Sequence, residues 1–250
     1  MKTFKLVGMA LVAILLCVNF TSCSKDDGPT EEPEEGGVVV SGKKLTKISA
    51  SMGANSATYS FNYDNQGRLI QSDFSEEYDG DKYTESYQFV WGDDVIKVSR
   101  VNGSSYTLNL NNKLVRNSDN GATFSYNSSN KFIKGKDNYN EINVIWDGDK
   151  LVSISDQDAD ATLTYDNKSC KKGYFPFSAS MIGFCCEMLF MAHPEIAGMR
   201  TTQLPSSITW VDRYETEAST LTYEFNNEGY ISKVNIKEGS NTYTHTLTWK

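Results

Sequence analysis

Histidine and cysteine are scarce in this chain, with 2 His and 5 Cys in 250 residues. A metal-ligating or nucleophilic cluster would have to rely mostly on carboxylates, which every surface carries and which identify nothing alone. No phosphate-binding glycine loop and no G-x-S-x-G elbow occurs, so nucleophilic catalysis has no assembled partner set and no cofactor is implied. Positive charge is short as well. The 24 Lys and Arg stand against 32 Asp and Glu, a net of −8, and such a surface disfavours nucleic acid and attachment to anionic lipid by charge. The apolar run Leu6 to Val18 is too short to span a bilayer as a helix.

That run has a meaning of its own. Lys2 and Lys5 precede it, and Thr21, Ser22 and Cys23 follow it, the basic, apolar, small-residue order of a secretory signal. Ser22-Cys23 resembles the lipobox of bacterial lipoproteins, which implies removal of residues 1–22 and acylation of Cys23. The alternative is an ordinary cleavage site that leaves Cys23 a plain residue. Residues 24–42 hold six carboxylates, Pro29, Pro33 and Gly36-Gly37, a composition that buries no apolar surface and reads as a disordered acidic tether. Extended, it reaches at most about 65 Å. An acidic stretch behind a lipidated cysteine is similar to the export signal of gut-bacteroidete surface lipoproteins. The resemblance implies an outer-membrane, lipid-anchored protein, surface-exposed or on the periplasmic face. Cleavage removes two lysines and no acid, which leaves a net of −10.

From Lys43 to Lys250 one pattern returns: alternating aromatic or aliphatic residues, a short Asn/Asp/Gly turn, and a second alternating stretch. Tyr59, Phe61 and Tyr63 lead into DNQG, Ile142, Val144 and Trp146 into DGDK, and Leu221, Tyr223 and Phe225 into NNEG. Strand side chains alternate between faces and tight turns need residues that tolerate positive φ, so the pattern predicts hairpins. Turns recur about every 16 to 28 residues. Single hairpins are marginal alone, so the fold class is all-β, a large antiparallel meander, curved or barrel-like, in one domain over 43–250. One face is aromatic and the other Ser, Thr, Asn or Gln, most clearly in TYTHTLTW. A membrane barrel needs an apolar outer band instead. Tyr63 to Leu69 matches Y-D-x-x-G-R-L and resembles the YD or Rhs hairpin repeat, with looser copies at Trp146 to Leu151 and Phe225 to Ile231. The whole plan resembles a family of bacteroidete lipoproteins described as a domain of unknown function with a porin-like fold. That implies a barrel-like sheet and carries no functional residues across.

An insertion at 171–207 interrupts the hairpins. Apolar residues at three-and-four spacing from Ser178, a candidate cap, to Ala192, before Pro194, predict a helix over about 178–192 that packs on the sheet or plugs a barrel mouth. Within it Met181, Phe184, Met188 and Phe190 are candidate cavity residues for an apolar ligand, against the plainer reading of a core helix. His245 joins them as an inward residue between Tyr243 and Leu247, and is expected to be a hydrogen-bonded core histidine. Cys170, Cys185, Cys186 and His193 lack zinc-site spacing and read as buried thiols, with at most one disulfide from Cys170 to Cys185 or Cys186. Asp156, Asp158 and Asp160 alternate as in a calcium loop, but Ala161 and Asn167 stand where Gly and Glu are needed, so a hairpin turn is expected. The acids at Asp79 to Asp81 and Asp147 to Asp149 read as turn chemistry.

These features favour a non-enzymatic, lipid-anchored binding or assembly module, its ligand a glycan or an apolar molecule held by aromatics on a concave face. A carboxylate-dependent glycosidase is the rival, since paired acids are set in space rather than in sequence. A scaffold without ligand is the third reading.

Overall fold

The computed structural model describes residues 42–182 and 186–250. Cys23, the signal, the tether up to residue 41, Phe184 and Cys185 lie outside the described residues. The first twelve strands are β1 (Leu45–Met52), β2 (Asn55–Tyr63), β3 (Leu69–Tyr78), β4 (Asp81–Trp91), β5 (Val95–Arg100), β6 (Ser105–Asn111), β7 (Leu114–Ser118), β8 (Thr123–Tyr126), β9 (Phe132–Lys136), β10 (Glu141–Asp147), β11 (Lys150–Ser155) and β12 (Ala159–Ser169). Two short helices follow, α1 (Phe177–Ser180) and α2 (Glu187–Ala192), and then β13 (Gln203–Asp212), β14 (Thr216–Phe225), β15 (Ile231–Glu238) and β16 (Asn241–Trp249). Every strand pairs with its sequence neighbours, and β1 closes on β16 with Ile48 opposite Leu247. The meander is a closed antiparallel barrel.

Closure leaves two rims. One carries the turns after β2, β4, β6, β8, β10 and β14, the insertion, and the seam where Lys44 and Lys250 exchange backbone hydrogen bonds of 2.6 and 2.9 Å. The other carries the turns after the odd-numbered strands. At the insertion rim the hairpins share a device. An aromatic residue in the rim-side part of an even strand donates to a backbone carbonyl near the start of the strand before it: Tyr63 to Leu45, Trp91 to Leu69, Trp146 to Phe132, Tyr165 to Leu151, Tyr223 to Pro205 and Trp249 to Ile231, each at 2.7 Å, and Tyr126 to Val115 at 2.5 Å. In β6 the corresponding position is Leu110, whose side chain has no donor. Register shifts fall at Tyr63, Leu110, Tyr126, Trp146, Tyr165 and Phe225, as bulges re-aim side chains at barrel rims. The turns agree too. Asp64, Asn127 and Asn226 each accept two backbone N–H groups with Oδ1, and Gly67, Asn130 and Gly229 take positive φ.

The alternation sorts the two faces. In β16 Tyr243, His245, Leu247 and Trp249 are buried while the threonines between them face outward; in β2 Ala57, Tyr59 and Phe61 are buried between Ser56, Thr58, Ser60 and Asn62. Exposed aliphatics such as Ile70, Val90 and Ile145 are single residues on a polar wall. A round barrel of sixteen strands leaves room for an aqueous channel. Here apolar wall residues and residues 174–182 and 186–199 of the insertion form a continuous buried cluster. Phe190 meets Phe124 edge-on at 5.9 Å, Phe175 meets Tyr223 at 6.1 Å, and Phe177 meets His245 at 5.0 Å.

The insertion is less regular than its spacing predicts. Among the described residues the predicted helix over 178–192 is represented by two short ones, and Cys186, which precedes the second, has φ −138°, outside helical values. Every described residue of both helices is buried, so packing on all sides, rather than one amphipathic face, sets the path. Ser178 is no cap. It lies inside α1, its hydroxyl 2.9 Å from the Phe175 carbonyl and 2.8 Å from that of Met199. α2 does end at Ala192, two residues before Pro194. The connection spans 170–202, shorter than 171–207, because β13 tolerates Pro205 at a bulge against Tyr165.

Candidate functional site

Where the insertion leaves and rejoins the rim, polar groups gather. A cleft of about 280 Å³ lies among Lys131, Asp149, Glu195, Arg200, Thr201 and Thr202. Asp149, in the turn after β10, receives the Lys131 ammonium at 2.6 Å, the Thr202 N–H at 3.0 Å and the Thr202 hydroxyl at 3.0 Å. Its backbone carbonyl accepts the Thr201 hydroxyl at 2.6 Å. Burial pushes the Asp149 carboxyl upward, but these donors outweigh it and hold its pKa below the usual value. Lys131 also reaches the Arg200 carbonyl at 2.6 Å and lies over the Trp146 ring at 4.5 Å. Asp149 thus clamps the insertion's exit strand to two neighbouring hairpin turns.

A second polar knot, which shares Glu195 with the lining of the cleft, also holds the insertion. The His193 Nε2 accepts the Leu69 N–H at 3.2 Å, so the ring proton sits on Nδ1 and is donated to Glu195 at 2.9 Å. Tyr63 and Trp91 present their rings edge-on to the imidazole at 5.8 and 5.4 Å. Burial raises the Glu195 carboxyl, but His193, its own backbone N–H and Arg200 together bring it below its usual value. Lys44 points its amine into this knot without a hydrogen-bond partner among the described residues. Burial lowers its pKa, opposed by Glu195 and Asp64 and assisted by Arg200.

The residues singled out from sequence occupy another place. Met181, Met188, Phe190 and His245 are all buried in the interior, apart from the cleft; Phe184 and the lipidation candidate Cys23 fall outside the described residues. His245 faces inward as expected; among the described residues neither ring nitrogen has a partner of good hydrogen-bond geometry, and burial, opposed by the Val234 backbone, depresses its pKa to about 4. It is a neutral core histidine. Cys170 and Cys186 are free thiols, so no disulfide joins these two; Cys185 lies outside the described residues. Cys186 Sγ lies 2.8 Å from the Tyr106 hydroxyl, and burial lifts the Cys170 thiol to about 12. Asp156 caps the β11 to β12 turn by accepting the N–H groups of Asp158 and Ala159, and Arg213 pairs with Asp158, so these acids serve the hairpin. Asp79 and Gly80, and likewise Gly148, take positive φ in their turns.

Sequence reasoning missed Asp149 as a clamp, since a DGD turn looks the same whether or not its last acid is engaged. Lys131, Glu195 and Arg200 carried no signal. Glu187 did carry one, as the single charge in CCEMLFMA. It is buried in the first turn of α2, and burial, aided by the charge of Glu85, drives its pKa well above the usual value.

No protein-family model and no curated protein matches the chain. Solved structures do. A porin-like protein from Bacteroides uniformis superposes with a TM-score of 0.64 at 17% identity, over 82% of this chain and 98% of that one. A porin-like protein from Bacteroides vulgatus gives 0.61 at 14% identity, over 84% and 99%. At such identities the likeness shows the fold, a closed antiparallel barrel of the porin-like type. The polar outer wall and occupied interior described above are this chain's own chemistry.

Proposed function

We propose that this chain is an envelope lipoprotein, anchored through acylated Cys23, whose barrel is a non-enzymatic binding or assembly module and not a channel. The observation that carries the reading is the sorting of side chains in the closed sheet. Threonine, serine, asparagine and lysine face outward, and aromatics and aliphatics face a lumen that the insertion occupies. A wall of that composition is costly to place in hydrocarbon, which asks of a spanning barrel an apolar outer band. Membrane attachment then falls to acyl chains. A tether of 24–42 leaves the barrel free to meet partners in the aqueous phase. Partner-binding surface is therefore sought on the wall and rims. Tyr139 and Tyr214, 66% and 79% exposed at the rim away from the insertion, suit the flat faces of sugars.

Metabolic labelling with a clickable fatty acid, followed by fractionation, tests the anchor. We expect the wild-type chain to carry label in the membrane fraction, and Cys23→Ala to lose both the label and the membrane association. Persistence of the Cys23→Ala protein in carbonate-washed membranes would overturn the reading in favour of an embedded barrel.

A further inference from the structure

The sequence total of acidic over basic residues conceals a segregation that the fold creates. In the turns of the rim away from the insertion there are six acids, Asp79, Asp119, Asp137, Asp156, Asp158 and Glu215, and one cation, Arg213. At the insertion rim, beside the seam where the tether joins the barrel, five exposed lysines gather: Lys43, Lys168, Lys171, Lys172 and Lys250. Tyr230 organises them. Its hydroxyl accepts the Lys43 N–H at 3.1 Å, its ring lies 6.0 Å from the Lys172 ammonium, and it packs on Trp249 at 5.3 Å. The Lys172 N–H reaches the Gly229 carbonyl at 3.2 Å, and the Lys171 side chain lies against Gly229. Three acids share this stretch, Asp166, Glu224 and Glu228, of which Glu224 is paired with Lys233 and Glu228 with Lys43; farther round the same rim Asp64, Asp93, Asp94 and Asp149 stand beside Arg68, Lys113 and Lys131.

From this arrangement we infer that the lysine face around Tyr230 is a docking surface for a membrane of anionic, phosphate-bearing headgroups. It deepens the anchored reading above by naming the barrel face that turns to the bilayer. Net charge argues against such contact only if both ends are felt together. Strands of this length separate the rims by roughly 20 Å or more, against a screening length of about 8 Å at physiological ionic strength. A headgroup at the insertion rim therefore responds to the lysines, while the distant acids are screened. The place of the patch supports the same occupant: it adjoins Gly42, the first described residue after the tether, so an anchor at Cys23 would hold this rim, rather than the acidic one, nearest the bilayer.

The test uses acyl-free protein, residues 24–250, which keeps every strand of the barrel and lacks Cys23, so its result does not depend on whether that residue is acylated. Flotation with vesicles of phosphatidylcholine, alone or mixed with phosphatidylglycerol, is measured at physiological and at molar salt. We expect partition onto the mixed vesicles only, lost at molar salt, and weakened roughly five-fold for each lysine removed in a variant combining Lys168→Gln, Lys171→Gln, Lys172→Gln and Lys250→Gln. All four side chains are exposed, and an unchanged unfolding midpoint verifies the variant's fold. Lys82→Gln with Lys136→Gln, away from the patch, leaves partition unchanged. Absence of partition onto anionic vesicles, equal partition onto neutral ones, or partition that the fourfold variant retains overturns the inference.

Discussion

Glu187 brings a carboxyl into a buried site where the nearby charge of Glu85 adds to the cost of ionisation, and Asp149 shows the opposite solution to the same problem. In the folded protein Glu187 keeps its proton to higher pH than in the unfolded chain, where it titrates near the usual 4.5. Its contribution is therefore full below that value and is lost as pH rises towards the folded pKa. We expect Glu187→Gln to raise the unfolding temperature at pH 8 and to leave it little changed at pH 4; identical pH slopes for the two proteins would sink the argument. Asp149 shifts the other way, because Lys131 and Thr202 stabilise its charged form. Its contribution is present above the unfolded value of 3.8 and is lost as pH falls through the lower folded one. Since the carboxylate is 41% exposed, solvent screening discounts the pair. Asp149→Asn should cost about 1 kcal/mol near neutral pH and nothing at the acid end, as read by denaturant unfolding across that range.

Hairpins are the unit that the sequence announces and the aromatic donors are what locks it. Tyr165→Phe removes one O–H to carbonyl bond of 2.7 Å and leaves the Leu151 carbonyl without that partner, a loss of about 1 kcal/mol; an unfolding curve that does not move would mean the device is ornamental. Glycine at the insertion's exit is under tighter demand. A Cβ on Gly198 would lie 2.6 Å from the Asn130 carbonyl oxygen and 2.8 Å from the Phe132 nitrogen, and its φ is +66°. Gly198→Ala should therefore cost several kcal/mol, while Gly239→Ala, at φ +53° with nothing nearby, should cost about 1 kcal/mol. Comparable losses would mean that the insertion yields to the intruding methyl. These elements differ in legibility for a physical reason. Tyr59, Phe61 and Tyr63 before DNQG announce strand and turn because period-two alternation and positive-φ residues are local requirements. Residues 178–192 read as a single apolar helix because three-and-four spacing is all that the local sequence reports, and nothing local says that packing on every side will set the path. The clamp at Asp149 was invisible because its partners, Lys131, Thr201 and Thr202, are brought to it only when neighbouring hairpins and the end of the insertion pack side by side.

For the whole molecule, the decisive property is that a barrel of channel-forming strand number has its apolar side chains turned inward onto its own insertion. Closure itself was only half legible, since hairpin repeats serve an open curved sheet as well as a barrel and the pairing of β1 with β16 is the longest-range contact in the fold. An apolar ligand that took the place of Phe177 or Phe190 in the lumen would have to displace side chains that are almost completely buried. Ligands that bind the outer wall or the rims face no such cost. Thermal unfolding of the acyl-free protein across glycans and lipids separates the cases, because a ligand at 100 times its Kd adds about 2.7 kcal/mol to stability wherever it binds. We expect any shift to come from glycans or anionic headgroups and to be unaffected by Met188→Leu, a volume-conserving change inside the lumen. A shift produced by apolar acyl compounds and altered by that substitution would instead mean that the insertion moves aside and that the lumen is the binding site.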